Sequence, residues 1–268
     1  MILKESQQKN EFIKLFLAQF EKTRKENPSL NKFIYEVSLF NNIYIVGGFL
    51  RNVINEDTPR DLDMIIGMSK GELDDVIKAC FTDFDENRLG GYKIKLEKIA
   101  IDVWSIDDNW AFKEDLIKNI KINHIEKIAQ GTFFNFDSLV LDLHKLKSSF
   151  KYYNSCAINK ELDILKKNSK YKKLNPTREA NVLRAFYLRA KYGLSYSPQL
   201  RNYMIEQLNY LAQVNSNPLP KLLQTLDKYK KYQDLLSKAS IEFLINEVYN
   251  YPDQKKQDDK NDTQQTLF

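Results

Sequence analysis

Asp61 and Asp63 open the run Asp61-Leu62-Asp63-Met64-Ile65-Ile66, and in an extended strand their spacing sends both carboxylates out of one sheet face. Paired carboxylates of this kind share divalent metal. Metal held this way activates a hydroxyl for attack on a phosphoryl group. Asp102, between Ile101 and Val103, offers a third carboxylate that can complete a metal's coordination or take the hydroxyl proton. Upstream, the apolar stretch Ile43 to Val46 runs into Gly47-Gly48-Phe49-Leu50-Arg51. The two glycines let the backbone pass close to a ligand and open a helix whose amides would face phosphate. Arg51 lies one turn in, and Arg60 directly precedes Asp61; both are suited to a triphosphate. Each piece has a bland reading: a solvated strand face, a turn, an edge position. Together, in this order, they fit a nucleotide-polymerising site.

The elements that must position these groups follow from periodicity and punctuation. Apolar residues at helical spacing predict leading helices over Phe12 to Phe20 and Asn31 to Phe40, separated by Asn27-Pro28. Ile43 to Val46 and Leu62 to Ile66 read as strands, with helices over Phe49 to Ile54 and Lys70 to Phe81. Tyr92 to Leu96 and Ile99 to Trp104 read as an antiparallel hairpin turning at Glu97-Lys98. From Trp110 the pattern is chiefly helical, with a strand or two around Phe133 to Leu143. Beyond a boundary in the Lys/Asn-rich stretch Lys166 to Pro176, helices are expected over Arg178 to Tyr192, Pro198 to Leu211, Lys221 to Leu236 and Ile241 to Val248. The fold class is therefore α+β: a small mixed sheet followed by an all-helical part. The expected organisation is a head over 1–150, a helical neck and body over 151–252, and a disordered tail over 253–268, which is charged and amide-rich.

The 268 residues suffice for one large or two modest domains. Two cysteines, Cys80 and Cys156, and two histidines, His124 and His144, lack metal-ligand spacing, which argues against a zinc site or a disulfide framework. The opening Met-Ile-Leu-Lys-Glu-Ser-Gln-Gln is too polar for a signal peptide, and no apolar run approaches membrane-spanning length. A cytoplasmic protein without a membrane partner is expected. The net charge of +5 is mild, but Lys160, Lys166, Lys167, Lys170, Lys172, Lys173, Arg178, Arg184, Arg189 and Lys191 face few acids. Such a stretch suits a phosphate backbone, or simply a solvated helical face. The histidines read as surface or packing residues, and Trp104 and Trp110 as packing rather than base-stacking groups. Tyrosines scattered among lysines from Tyr152 to Tyr249 suit either single-stranded RNA or core edges.

From Tyr44 to Leu194 the chain resembles the head and neck of the CCA-adding enzyme and bacterial poly(A) polymerase family, within the DNA polymerase beta nucleotidyltransferase superfamily. The family's Gly-Gly-x-x-Arg-Asp segment, which cradles triphosphate, is matched by Gly47, Gly48 and Arg51; its metal-binding Asp-x-Asp by Asp61 and Asp63; its further strand carboxylate by Asp102. Arg184-Ala185 and Ala190-Lys191-Tyr192-Gly193-Leu194 resemble the end of the neck helix. The resemblance implies that Asp61, Asp63 and Asp102 carry catalysis and hold Mg²⁺ or Mn²⁺. It also implies that Gly47, Gly48 and Arg51 bind the phosphates, and that Asn135, Arg178, Asn181 and Arg184 line the ribose and base pocket; Arg60 is a further nucleotide-binding candidate by its place next to Asp61.

The departures are specific. Asn52 stands where the family usually has aspartate. The family's Arg-Arg-Asp-Phe-Thr-x-Asn segment appears as Gln130-Gly131-Thr132-Phe133-Phe134-Asn135, retaining Asn135. Asn181 occupies the place of a base-reading arginine. The expected function is transfer of a nucleoside monophosphate from an NTP (ATP or CTP) to an RNA 3′ end, with tRNA as first choice. Family members carry further helical body and tail regions that grip tRNA, so a smaller acceptor, a partner subunit or a homodimer is expected to make up for them here. The alternatives are a toxin or defence nucleotidyltransferase modifying tRNA, protein or a small molecule, and a non-catalytic nucleotide- or RNA-binding protein.

Overall fold

Chain punctuation sets the leading elements. In the computed structural model, which describes residues 6–87, 89–117, 124–165 and 177–250, α1 (Ser6–Glu26) gives way at Asn27 to α2 (Pro28–Ser38), with the proline in its first turn, where no amide partner is lost. Then come β1 (Ile43–Val46), α3 (Gly48–Ile54), β2 (Asp61–Ile66) and α4 (Lys70–Cys80). The last starts on a capping box in which Ser69 and Glu72 satisfy each other's backbone amides. Next are β3 (Asp85–Glu86), β4 (Tyr92–Lys95) and β5 (Ala100–Ser105), followed by α5 (Trp110–Lys113), α6 (His124–Gly131), a 3₁₀ turn at Asn135–Asp137, β6 (Val140–Asp142), β7 (Lys147–Ser149), α7 (Lys151–Asn159) and β8 (Glu161–Leu162). The expected strands and the β4–β5 hairpin are present, closed by Leu96 N–H donating to Ile99 O at 2.9 Å. The short β7 lies beyond the stretch where the sequence placed strands.

Seven strands form one mixed sheet in the order β3-β4-β5-β2-β1-β6-β7. Only the β2–β5 pairing is parallel. One face carries Leu62, Met64, Ile66, Ile101, Val103 and Ile45, all fully buried, on the side packed by the helices α3 and α4. The other face is divided along its length. At one end Tyr44, Ile65 and Val140 pack with Trp110, Ala111, Phe112, Ile128 and Ala129 of α5 and α6. At the other end it presents aspartates. Gly91 is required by this packing, because a Cβ there would stand 2.0 Å from Trp104 Nε1.

The chain divides into two compact units, Met1–Asn175 and Pro176–Phe268, and α7 and β8 belong to the first. The second unit contains α8 (Arg178–Tyr192), β9 (Ser195–Tyr196), α9 (Pro198–Asn215), α10 (Leu219–Lys228), a 3₁₀ turn at Lys230–Tyr232 and α11 (Lys238–Asn250). Thr177 caps α8 by accepting from Ala180 N–H, and Gly193 ends it at φ +64°, the left-handed geometry that glycine adopts without strain. The expected tail and the whole of the expected boundary segment, Lys166 to Pro176, lie outside the described residues. Among the described residues no helix is long and apolar enough to cross a membrane.

Candidate active site

Register brings the aspartates together. Val46 of β1 pairs with Asp63 of β2, and Asp63 pairs in parallel with Asp102 of β5. Directly paired residues share a sheet face, so Asp61, Asp63 and Asp102 stand on one side. All three are partly exposed, while Leu62, Met64, Ile101 and Val103 between them are buried. The apolar alternation anchors both strands, and the carboxylates occupy the positions it leaves.

The glycine pair closes over this end of the sheet. Gly47 has φ +64° and ψ −110°, a conformation that a side chain would strain. Its N–H donates to Leu139 O at 2.9 Å, so this amide ties the turn to the start of β6 instead of facing a ligand. Gly48 begins α3, and a Cβ on it would lie 3.3 Å from Asp61 Oδ1, 3.8 Å from Arg51 Nη2 and 3.9 Å from Asp63 Oδ2. Glycine here leaves open a space toward which two carboxylates and a guanidinium turn.

Arg51 is only 8% exposed. Its Nη1 donates to Asp137 Oδ1 at 2.7 Å, and its guanidinium carbon sits 5.2 Å from the centre of the Phe136 ring. Asn52 is also buried and its Nδ2 donates to Thr58 O at 3.2 Å, bracing the loop that leads to Asp61. An aspartate at this position has no proton to donate to that carbonyl. Arg60 is exposed.

Other candidate residues are held by neighbours. The Asn135 side chain donates to Glu161 O at 3.0 Å and accepts from Asp163 N–H at 3.0 Å, so it staples the 3₁₀ turn to the chain following α7. In the second unit, Arg178 Nη1 donates to Gln207 Oε1 at 2.6 Å, with its guanidinium 4.2 Å from the Tyr210 ring centre. Asn181 is 1% exposed and faces the Tyr203 hydroxyl at 3.5 Å. Burial pushes that phenol up to about 12. Arg184 is half-buried on the same helix. His124, read from the sequence as a surface or packing residue, has its Nδ1 3.0 Å from the Tyr44 hydroxyl, a contact spanning eighty positions of sequence.

Sequence reasoning passed over Asp137 and the α9 residues Tyr203 and Gln207. Nothing local marks Asp137, which follows Phe136 and precedes Ser138 in a short turn between apolar runs. Pairing it with Arg51 required tertiary contact.

Among the described residues no group of three or more His, Cys, Asp or Glu side chains is already arranged to hold a metal ion. Magnesium, however, is commonly held by one or two carboxylates together with substrate phosphates, without an all-protein cage. Asp61 and Asp63 supply two hard oxygens turned toward one space beside Gly48, and the chemistry of the set fits.

A CCA-adding enzyme in complex with ATP superimposes at a TM-score of 0.60 and 14% identity, over 88% of this chain and 54% of that one. The fold is that of CCA-adding enzymes. A complex with CTP gives 0.59 at 15% identity, again over 88% of this chain and 54% of that one. A Thermotoga maritima CCA-adding enzyme complexed with tRNA gives 0.55 at 14% identity, over 92% and 52%. The chain thus spans about half the length of the CCA-adding enzyme structures it matches. No protein-family model and no curated protein sequence matches it.

Proposed function

We propose that this protein is a metal-dependent nucleotidyltransferase that moves a nucleoside monophosphate from an NTP, ATP or CTP, to an RNA 3′ end, tRNA being the first choice of acceptor. The observation that carries this reading is the register of Asp63 against Asp102, with Asp61 on the same face and the Gly47-Gly48 turn beside them. That a CCA-adding enzyme of the same fold was solved with tRNA supports the choice of acceptor.

In this reading Asp61, Asp63 and Asp102 hold Mg²⁺ or Mn²⁺, which when bound lowers the pKa of the attacking hydroxyl and neutralises charge on the phosphates. Asp102 accepts the proton of the acceptor 3′-hydroxyl. The new bond joins that oxygen to the α-phosphorus; the bond to the bridging oxygen on the β side breaks, and pyrophosphate leaves. The open space at Gly48 admits the triphosphate, with Arg51 and Arg60 supplying positive charge. Asn135, Arg178, Asn181 and Arg184 are the candidates for the ribose and base, an assignment resting on the family resemblance.

The test is incubation with each labelled NTP, Mg²⁺ and total RNA, beside an Asp61→Asn/Asp63→Asn control. Label entering a tRNA-sized band only with both aspartates intact is the expected result. Equal labelling by the double variant would sink the metal assignment, and label appearing only in protein or small molecules would remove RNA as acceptor.

A further inference from the structure

We infer that Asp137 is a positioning residue for the triphosphate: it fixes the plane of the Arg51 guanidinium so that its Nη2 edge faces the space beside Gly48. The inference rests on the nucleotidyltransferase reading above and adds to it a residue that the glycine and aspartate motifs do not contain.

Arginine on a helix points back toward the N-terminus, which takes the Arg51 side chain from the second turn of α3 to the Gly47-Gly48 end. There it meets a wall made by the 3₁₀ turn. Phe136 lies against the guanidinium, and Asp137 Oδ1 binds Nη1 at 2.7 Å. Both side chains are well covered, at 10% and 18% exposure, so the bond is shielded from water and its geometry is restrictive. Nη2 is left on the Gly48 side, 3.8 Å from where a Cβ would be, a point that also lies 3.3 Å from Asp61 Oδ1. Nε is buried without a hydrogen-bond partner, so this arrangement does not satisfy every donor of the guanidinium.

The turn that carries Asp137 is itself held from two sides and by a bond of its own. Asn135 bonds the backbone at Glu161 and Asp163, Ser138 Oγ donates to Asn135 O at 2.6 Å, and Gly47 N–H holds Leu139 O. The Asp137 carbonyl lies 3.4 Å from the place a Gly47 Cβ would take. The turn therefore holds both the glycine loop and the arginine, and a planar fork restrained at one edge presents the other in a fixed direction. Asp137 also supplies the negative charge that a largely buried guanidinium requires.

The experiment compares binding of ATP and AMP, by calorimetry with Mg²⁺ present, to the intact chain and to Asp137→Ala and Asp137→Asn. If Asp137 aims Arg51 at the β- and γ-phosphates, Asp137→Ala should weaken ATP binding by roughly 10- to 100-fold, the range of a lost charge-assisted hydrogen bond, and leave AMP binding unchanged. Asp137→Asn keeps one acceptor oxygen and should show a smaller loss, again confined to ATP. A generally disturbed fold would weaken both nucleotides together, which would overturn the inference. An unchanged ATP-to-AMP ratio in the variants would also overturn it. Should Asp137→Ala fail to fold, the ratio measured for Asp137→Asn decides. If the unsubstituted protein itself shows no preference for ATP over AMP, the nucleotidyltransferase reading fails, and the inference fails with it.

Discussion

Replacing Gly48 by alanine introduces a methyl carbon 3.3 Å from Asp61 Oδ1 and 3.9 Å from Asp63 Oδ2. The backbone accepts it: positive φ among the described glycines falls at Gly47, Gly90 and Gly193 and not at Gly48. In a compatible conformation Gly→Ala stabilises by about 0.4–1 kcal/mol through the unfolded chain. Against this stands a tight contact with a partly exposed carboxylate, which can relax by a few tenths of an ångström. The two effects are of similar size, so stability should change by less than about 1 kcal/mol. Activity should respond differently, because catalytic groups must hold their geometry to about 0.5 Å and a 1 Å displacement costs about 100-fold. A displacement of a few tenths at Asp61 is expected to reduce nucleotide transfer about fourfold.

Gly47→Ala is the internal comparison. At φ +64° and ψ −110° a side chain strains the backbone by about 1–3 kcal/mol, so its thermal midpoint should fall clearly below that of Gly48→Ala. Thermal denaturation followed by circular dichroism and the labelled-NTP assay on the same preparations separate the two. Full transfer activity in Gly48→Ala would refute the reasoning. So would a loss of thermal stability equal to that of Gly47→Ala, since the contact would then be structural and not a constraint on the aspartates.

Adding Mg²⁺ should raise the thermal midpoint of the unsubstituted protein, because a ligand bound only by the folded state stabilises it; the Asp61→Asn/Asp63→Asn protein should not respond, and an equal rise in both would place the ion elsewhere. Asn52→Asp removes the donor to Thr58 O and leaves a buried carboxylate against a carbonyl, for which chemical denaturation should show a loss of roughly 1–3 kcal/mol. Cys156 is fully buried and its thiol is pushed up to about 12, mainly by burial, so at pH 8 it stays protonated and iodoacetamide should label Cys80 well before it. Both should react in denaturant, and rapid native labelling of Cys156 would contradict the packing around α7.

Much of the local structure was legible because it is written in short-range patterns. The alternation from Asp61 to Ile66 fixes which side chains share a face, and Pro28, the Ser69–Glu72 capping box and Gly193 punctuate their helices through nearest-neighbour chemistry. The β4–β5 hairpin followed for the same reason, since its strands are joined by a turn of a few residues. By contrast, β7 is short and carries Lys147 and Ser148, so no apolar period announces it.

What the sequence by itself determined is which residues could do chemistry: three aspartates on strands, two adjacent glycines and an arginine one turn on. Only the tertiary structure decided how they meet. The in-register parallel pairing of Asp63 with Asp102 and the Arg51–Asp137 ion pair join positions far apart in the chain. Such contacts depend on sheet order and on the approach of β6 to β1, which no local propensity encodes. The same holds for Asn135 and Asn181. As residue types either could face a nucleotide, but the fold surrounds Asn135 with backbone partners and buries Asn181 against Tyr203, because a buried amide must find its hydrogen bonds wherever the packing places them.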